Sequence, residues 1–196
     1  MILPLADDNS DRRITPYVTY LFIALNIVVF ALFQGFGSNL DFTYAYSTVP
    51  AEVLTGEDIV TQDRVLQDRS TGQRVRVPGL QPTPIPILLT LITSMFMHGG
   101  FAHILGNMLF LFIFGDNLED RMGRGRFVLF YLLCGIAASF AHIFASAALG
   151  SDLQVPTLGA SGAISGVLGG YLLLFPKKRV HVILLRIIMP VPALSS

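Results

Sequence analysis

The chain has 196 residues, of which 53% are hydrophobic and only 13% charged, with basic and acidic side chains in equal number. Long uncharged runs between small charged clusters are the signature of a protein that crosses a bilayer several times. Zero net charge without a basic stripe excludes a nucleic-acid footprint, and a lone cysteine, Cys134, excludes a disulfide framework or a cysteine metal site.

The N-terminal "MILPLADDNSDRR" is too acidic and polar for a signal peptide, and the apolar stretch behind it is too long for a signal h-region. The first span is therefore expected to stay in the mature protein. Roughly 20 apolar residues are needed to cross about 30 Å of hydrocarbon, and four segments qualify: about 14–35, with its apolar heart at Val18–Phe33, then 101–118, 127–149 and 158–175. A long loop, 37–80, separates the first two. The prolines at 78, 82, 84 and 86 and the "HGG" at 98–100 break the next uncharged run, so Ile87–Met97 reads as an interfacial or re-entrant helix. The expectation is an all-α, polytopic helical bundle.

Orientation follows from the basic residues. Arg12 and Arg13 precede span one, Arg121, Arg124 and Arg126 join spans two and three, and "KKR" at 177–179 follows span four. All three clusters fall on one side, which the positive-inside rule makes cytoplasmic. Loop 37–80 and the short turn 150–156 are then external. After Arg186 the remaining "IIMPVPALSS" is too short to span.

Spans two and four both run inward, so His103, Asn107 and Ser161 share an outer depth. His103 and Asn107 are spaced i, i+4 and lie on one helix face, with Gly106 beside them. Gly162, Gly166 and Gly170 repeat every four residues, the small-xxx-small pattern of packed membrane helices, so Ser161 and Ser165 also fit a purely packing role. An ionisable residue inside a span is functional by default, which favours chemistry at His103; Asn107 alone would suit an interhelical hydrogen bond. Acyl transfer would use the set: a serine nucleophile, Asn and His side chains as oxyanion donors, and the free N–H groups at the start of span four.

The stretches "HGGFAHILGN" (98–107), "GDNLEDRMGRGRF" (115–127) and "GASGAISGVLGGY" (159–171) resemble the rhomboid intramembrane serine proteases, and "DDNSDRRITPYVTY" resembles their bacterial members. The likeness covers nearly all of the chain except loop 37–80. It implies a six-helix core, N-terminus inside, of which four spans lie in 1–196, so that 1–196 forms an incomplete rhomboid domain with 37–80 as an insertion. It implies a bacterial inner-membrane protease that cleaves single-pass membrane proteins near the outer face, with lipid and substrate helices as its partners and no metal or organic cofactor. Ser161 would be the nucleophile, with His103, Asn107 and the Ser161 backbone N–H as the oxyanion site. Gly159 and Gly162 would support it, His98 would brace the loop before span two, and Glu119 with Arg121 would fasten the cytoplasmic turn. The chain departs from the family in having no tryptophan and in placing Ser165 where an aromatic commonly follows the nucleophile.

The family's base is a histidine of the sixth helix, which 1–196 is expected to lack through C-terminal truncation. His181 follows the cytoplasmic cluster. That leaves His142 in "SFAHIFAS" as the internal candidate, although an interhelical hydrogen bond would suit it better. The glycines at 162, 166 and 170 are then expected to present an open face awaiting a partner helix, and 1–196 alone is expected to be inert. A protease-dead relative that binds membrane helices is the alternative, which the retained Ser161 and its donors disfavour. Half of a transporter is a third, disfavoured because no acid lies in mid-span.

Overall fold

A bilayer leaves no water to satisfy backbone groups, so the apolar runs close their own hydrogen bonds as helices and then pack. The computed structural model describes residues 2–7, 12–67, 74–176, 178 and 180–184; Lys177, Arg179 and the apolar tail after Arg186 lie outside the described residues. Helix α1, Tyr17–Val28, continues into a π-helical turn, Val29–Phe33. Loop 37–80 holds two short helices, α2 (Leu40–Tyr46) and α3 (Pro50–Thr55), and an antiparallel hairpin of β2 (Arg64–Gln67) and β3 (Arg74–Val77). The re-entrant segment forms as 3₁₀ turns at Ile87–Leu89 and Ser94–Phe96 around α4, Thr90–Thr93. Helices α5 (Phe101–Met122), α6 (Arg124–Ala148) and α7 (Ser161–Leu174) complete the bundle. Strand β1, Ile2–Asp7, pairs antiparallel with β4, Val180–Leu184, which contains His181.

Among the described residues, α5 and α6 are long and apolar enough to cross a bilayer. Helix α5 is central: 56% of its apolar window is buried in the protein, against 22% for α6. At about 1.5 Å per residue the 14 residues of α7 reach only about 21 Å, because Leu158, Gly159 and Ala160 stand outside the helix that the sequence pattern extends to 158. Leu32, Phe112, Leu129, Leu133, Leu172 and Leu173 stay exposed on the bundle's outside, as lipid-facing side chains do.

Inside, Phe22 packs on Tyr131 with ring centroids 4.5 Å apart, and Leu111, Leu118, Phe127 and Val167 are fully buried around them. The glycine repeat of α7 is not an open face. Ala138 lies against Gly162, Cys134 against Gly166, and Leu118 with Phe130 against Gly170, so α6 and α5 already occupy the groove that the glycines create. The absence of side chains at 162 and 166 lets α6 approach, which is where the expectation of a missing partner fails.

One end of the bundle is tied by polar groups. Buried Glu119 accepts hydrogen bonds from the Val18 and Thr19 N–H groups and the Thr19 hydroxyl, at 3.0, 2.8 and 2.9 Å, and so caps α1 from another helix. Its cationic neighbour is Arg124, at 3.8 Å. Gly123, at φ 81°, turns the chain so that Arg124 comes back over the α5 terminus. Arg12 pairs with Asp116 at 3.1 Å, the Arg13 and Ile14 N–H groups donate to Asp120, and Lys178 donates to Asn117 at 3.0 Å. Arg12, Arg13, Arg124 and Lys178 thus meet at one end.

Candidate active site

The other end holds a cavity of about 520 Å³ whose lining includes His103, Ser139, His142, Gly159, Ser161 and Gly162. Ser161 is the first residue of α7, so its N–H and those of the next two residues have no intrahelical acceptor, and no side chain caps them. Its side chain is exposed and its Oγ makes no hydrogen bond among the described residues. Ser165, one turn on, donates to the Ser161 carbonyl at 2.7 Å and so faces away from nucleophilic use.

Gly159 brings His103 and Ser161 together. Its φ of 122° lies in the region that favours glycine, and a Cβ there would stand 2.8 Å from both Cε1 and Nε2 of His103 and 3.7 Å from Ser161 Oγ. The imidazole and the hydroxyl therefore share the space of one absent methyl group. The Gly99 N–H donates to His103 Nδ1 at 3.4 Å, so a neutral ring, its tautomer assigned from this contact, carries its proton on Nε2, the nitrogen beside Gly159. That makes His103 a donor toward the serine, not an acceptor.

Asn107 lies one turn below His103, outside the cavity lining, and is 8% exposed. Its amide Nδ2 is buried without a partner among the described residues, an arrangement that costs about 1–3 kcal/mol of desolvation. His98 is fully buried, with its ring centroid 5.1 Å from that of His103. Burial, then the neighbouring His103, pulls its pKa down to about 4, so it stays neutral. It is held through its backbone: the Gln34 side chain accepts from the His98 N–H at 2.9 Å and donates to its carbonyl at 3.0 Å. His142 faces the same cavity, and its Nε2 lies 3.4 Å from Ser146 Oγ one turn along α6. That contact is intrahelical, in place of the interhelical bond expected of it.

Gln34, Ser94, Thr48 and Thr157 carry the backbone around this site, and none was legible from sequence as a site residue. Each finds its partner across tens of residues, and a lone Thr or Gln in a loop gives no periodic signal.

A sequence profile described as the Rhomboid domain matches residues 87–194. The chain is 35% identical over 113 residues to Rhomboid protein 1, mitochondrial, of Saccharomyces cerevisiae, covering 58% of this chain and 32% of that protein. It is 31% identical over 159 residues to Rhomboid protease GluP of Bacillus subtilis, covering 80% of this chain and 24% of that protein. To the Presenilin-associated rhomboid-like protein, mitochondrial, of Homo sapiens it is 31% identical over 120 residues, 56% of this chain and 31% of that one. The chain thus spans about a quarter to a third of the length of these relatives. No solved structure matches it.

Proposed function

Because the chain belongs to the rhomboid family, a family of intramembrane proteases, we propose that this membrane protein is a serine endopeptidase that cuts membrane-protein helices near the outer face of the bilayer. The observation that carries the reading is the convergence of an unbonded Ser161 Oγ and the donor nitrogen of His103 on Gly159. In the reaction, Ser161 Oγ bonds to the scissile carbonyl carbon and gives its proton to a base. The C–N bond then breaks, the proton passes to the leaving amine, and water hydrolyses the ester. Charge that builds on the carbonyl oxygen is met by His103 Nε2–H, the Ser161 N–H and the Asn107 amide, whose unpaired donor is otherwise a cost without return.

None of the four histidines of residues 1–196 is the base in this reading. His98 is packed away, His103 is spent as a donor, and His181 lies in β4, past the polar end of the bundle. His142 borders the cavity but turns Nε2 toward Ser146. The basic residues at the other end support an N-terminus on the cytoplasmic side, and the membrane of this reading is the plasma membrane of a bacterium.

The test reconstitutes the intact protein in vesicles with a tagged single-pass substrate. Cleavage is expected in the wild type, lost in Ser161→Ala and retained in His142→Ala, and a fluorophosphonate should label Ser161. Undiminished cleavage by Ser161→Ala refutes the proposal. Substrate capture by a wild type that never cleaves supports instead a rhomboid relative that binds helices.

A further inference from the structure

External loops usually run over a surface, where water satisfies their backbone. Here Ser47, Thr48 and Val49 of the external loop are at most 1% exposed. The polar groups of this segment are met within the protein. Thr48 and Thr157 exchange both backbone hydrogen bonds, at 3.1 and 2.8 Å, and the Thr157 hydroxyl donates to the Thr48 carbonyl at 3.1 Å. The Thr48 hydroxyl lies 2.9 Å from both the Thr90 carbonyl and Ser94 Oγ. Having one proton, it donates to the carbonyl and accepts from Ser94. The Ser94 carbonyl in turn accepts from the Gly159 N–H at 2.8 Å.

Thr48 therefore holds the stretch 157–159 at both ends, through Thr157 by its backbone and through Ser94 by its side chain. That stretch ends at the backbone position where His103 and Ser161 meet, two residues before the serine. We propose that Thr48 is a positioning residue: it ties the external loop to the Gly159 turn and thereby sets the direction of Ser161 Oγ relative to His103. The proposal rests on the reading of Ser161 as nucleophile. A valine at 48 keeps the shape of threonine but leaves the Thr90 carbonyl and the Ser94 hydroxyl unpaired, and the Gly159 turn is then free to shift. A displacement of about 1 Å at a reacting group costs about a hundredfold in rate, so even a partial shift is measurable.

The experiment uses the intact protein in vesicles and measures kcat and KM for one tagged membrane substrate. Thr48→Val should lower kcat about tenfold or more with KM within about twofold, and Thr48→Ser should restore kcat, since it keeps the hydroxyl. Ser94→Ala should also lower kcat, and Thr48→Val with Ser94→Ala should be no worse than Thr48→Val alone, because the bond that Ser94→Ala removes is already gone. Thr55→Val is the control: that hydroxyl bonds only to Ala51 and Glu57 of its own loop segment, and kcat should not change. Should Thr48→Val fail to fold, Ser94→Ala carries the same expectation. Wild-type kcat in Thr48→Val or Ser94→Ala, or a loss confined to KM, overturns the positioning role. Ser161→Ala, assayed in parallel, separates the two readings: if it is inactive while Thr48→Val is fully active, only the positioning role falls, and if it is active, both fall.

Discussion

The packing of α6 on α7 can be tested by moving one methyl group across it. A Cβ at Gly162 would stand 2.6 Å from the Cβ of Ala138, and neither atom can swing away, because the backbone fixes both. Gly162→Ala forces the helices apart, an overpacking of about 1–3 kcal/mol. Ala138→Gly alone costs about 1 kcal/mol through lost helix propensity. Were the sites independent, the double variant would lose about 2–4 kcal/mol, the sum of the two. With the methyl merely transferred, the clash disappears and the double variant should lose about 1 kcal/mol or less, a coupling of about 1–3 kcal/mol. The assay is reversible unfolding of the four proteins in mixed micelles titrated with a denaturing detergent. Additivity within about 0.3 kcal/mol would refute the contact. So would a Gly162→Ala variant more stable than the wild type, the result expected of an open face, where alanine adds up to about 1 kcal/mol of helix propensity.

Single cysteines at Arg124 and Glu57, in a Cys134→Ser background, should label from opposite sides with an impermeant thiol reagent; the same side for both would overturn the orientation read from the basic clusters. Glu52 is buried in α3, where desolvation, with Asp58 adding to it, holds its pKa above the ordinary glutamate value despite hydrogen bonds from Ile59 and Thr83. A carboxyl raised in the folded state stabilises most below its unfolded pKa, and that contribution is lost as pH rises through the folded value. Protease nicking of loop 37–80 should therefore increase over that rise in the wild type and be flat in Glu52→Gln. Asn107→Leu removes a buried donor without a partner and should unfold no more easily than wild type, while kcat falls about 10²–10³-fold; a destabilised but active variant would mean that the amide serves packing.

What the sequence made legible is what rests on periodicity. His103 and Asn107 four apart, the apolar runs and the shared side of Arg12, Arg124 and Lys178 all survive in three dimensions, because helical geometry alone places them. What stayed hidden depends on which helix meets which. The glycines at 162 and 166 announce that a backbone will come close, but nothing in the repeat says that α6 is the one that comes. Gln34 reads as a boundary residue at the end of span one, yet it clasps His98 from 64 residues away. The π-helical turn before it is likewise silent in sequence, since Val29–Phe33 has the composition of the helix it interrupts.

Buried polar groups in this molecule are met to different degrees. Glu119, the most costly group to bury, is matched by three donors, and Thr48 by partners for its N–H, carbonyl and hydroxyl. By contrast Asn107 keeps a buried amide donor idle, and Ser161, at the open start of α7, exposes a hydroxyl that bonds to nothing among the described residues. Of three donors of independent origin, a side-chain amide, an imidazole N–H and the first turn of a helix, only the buried amide is unfavourable to the folded chain alone; the other two face the cavity. In the proposed reaction all three would serve one electron-rich oxygen, that of a carbonyl under attack by Ser161.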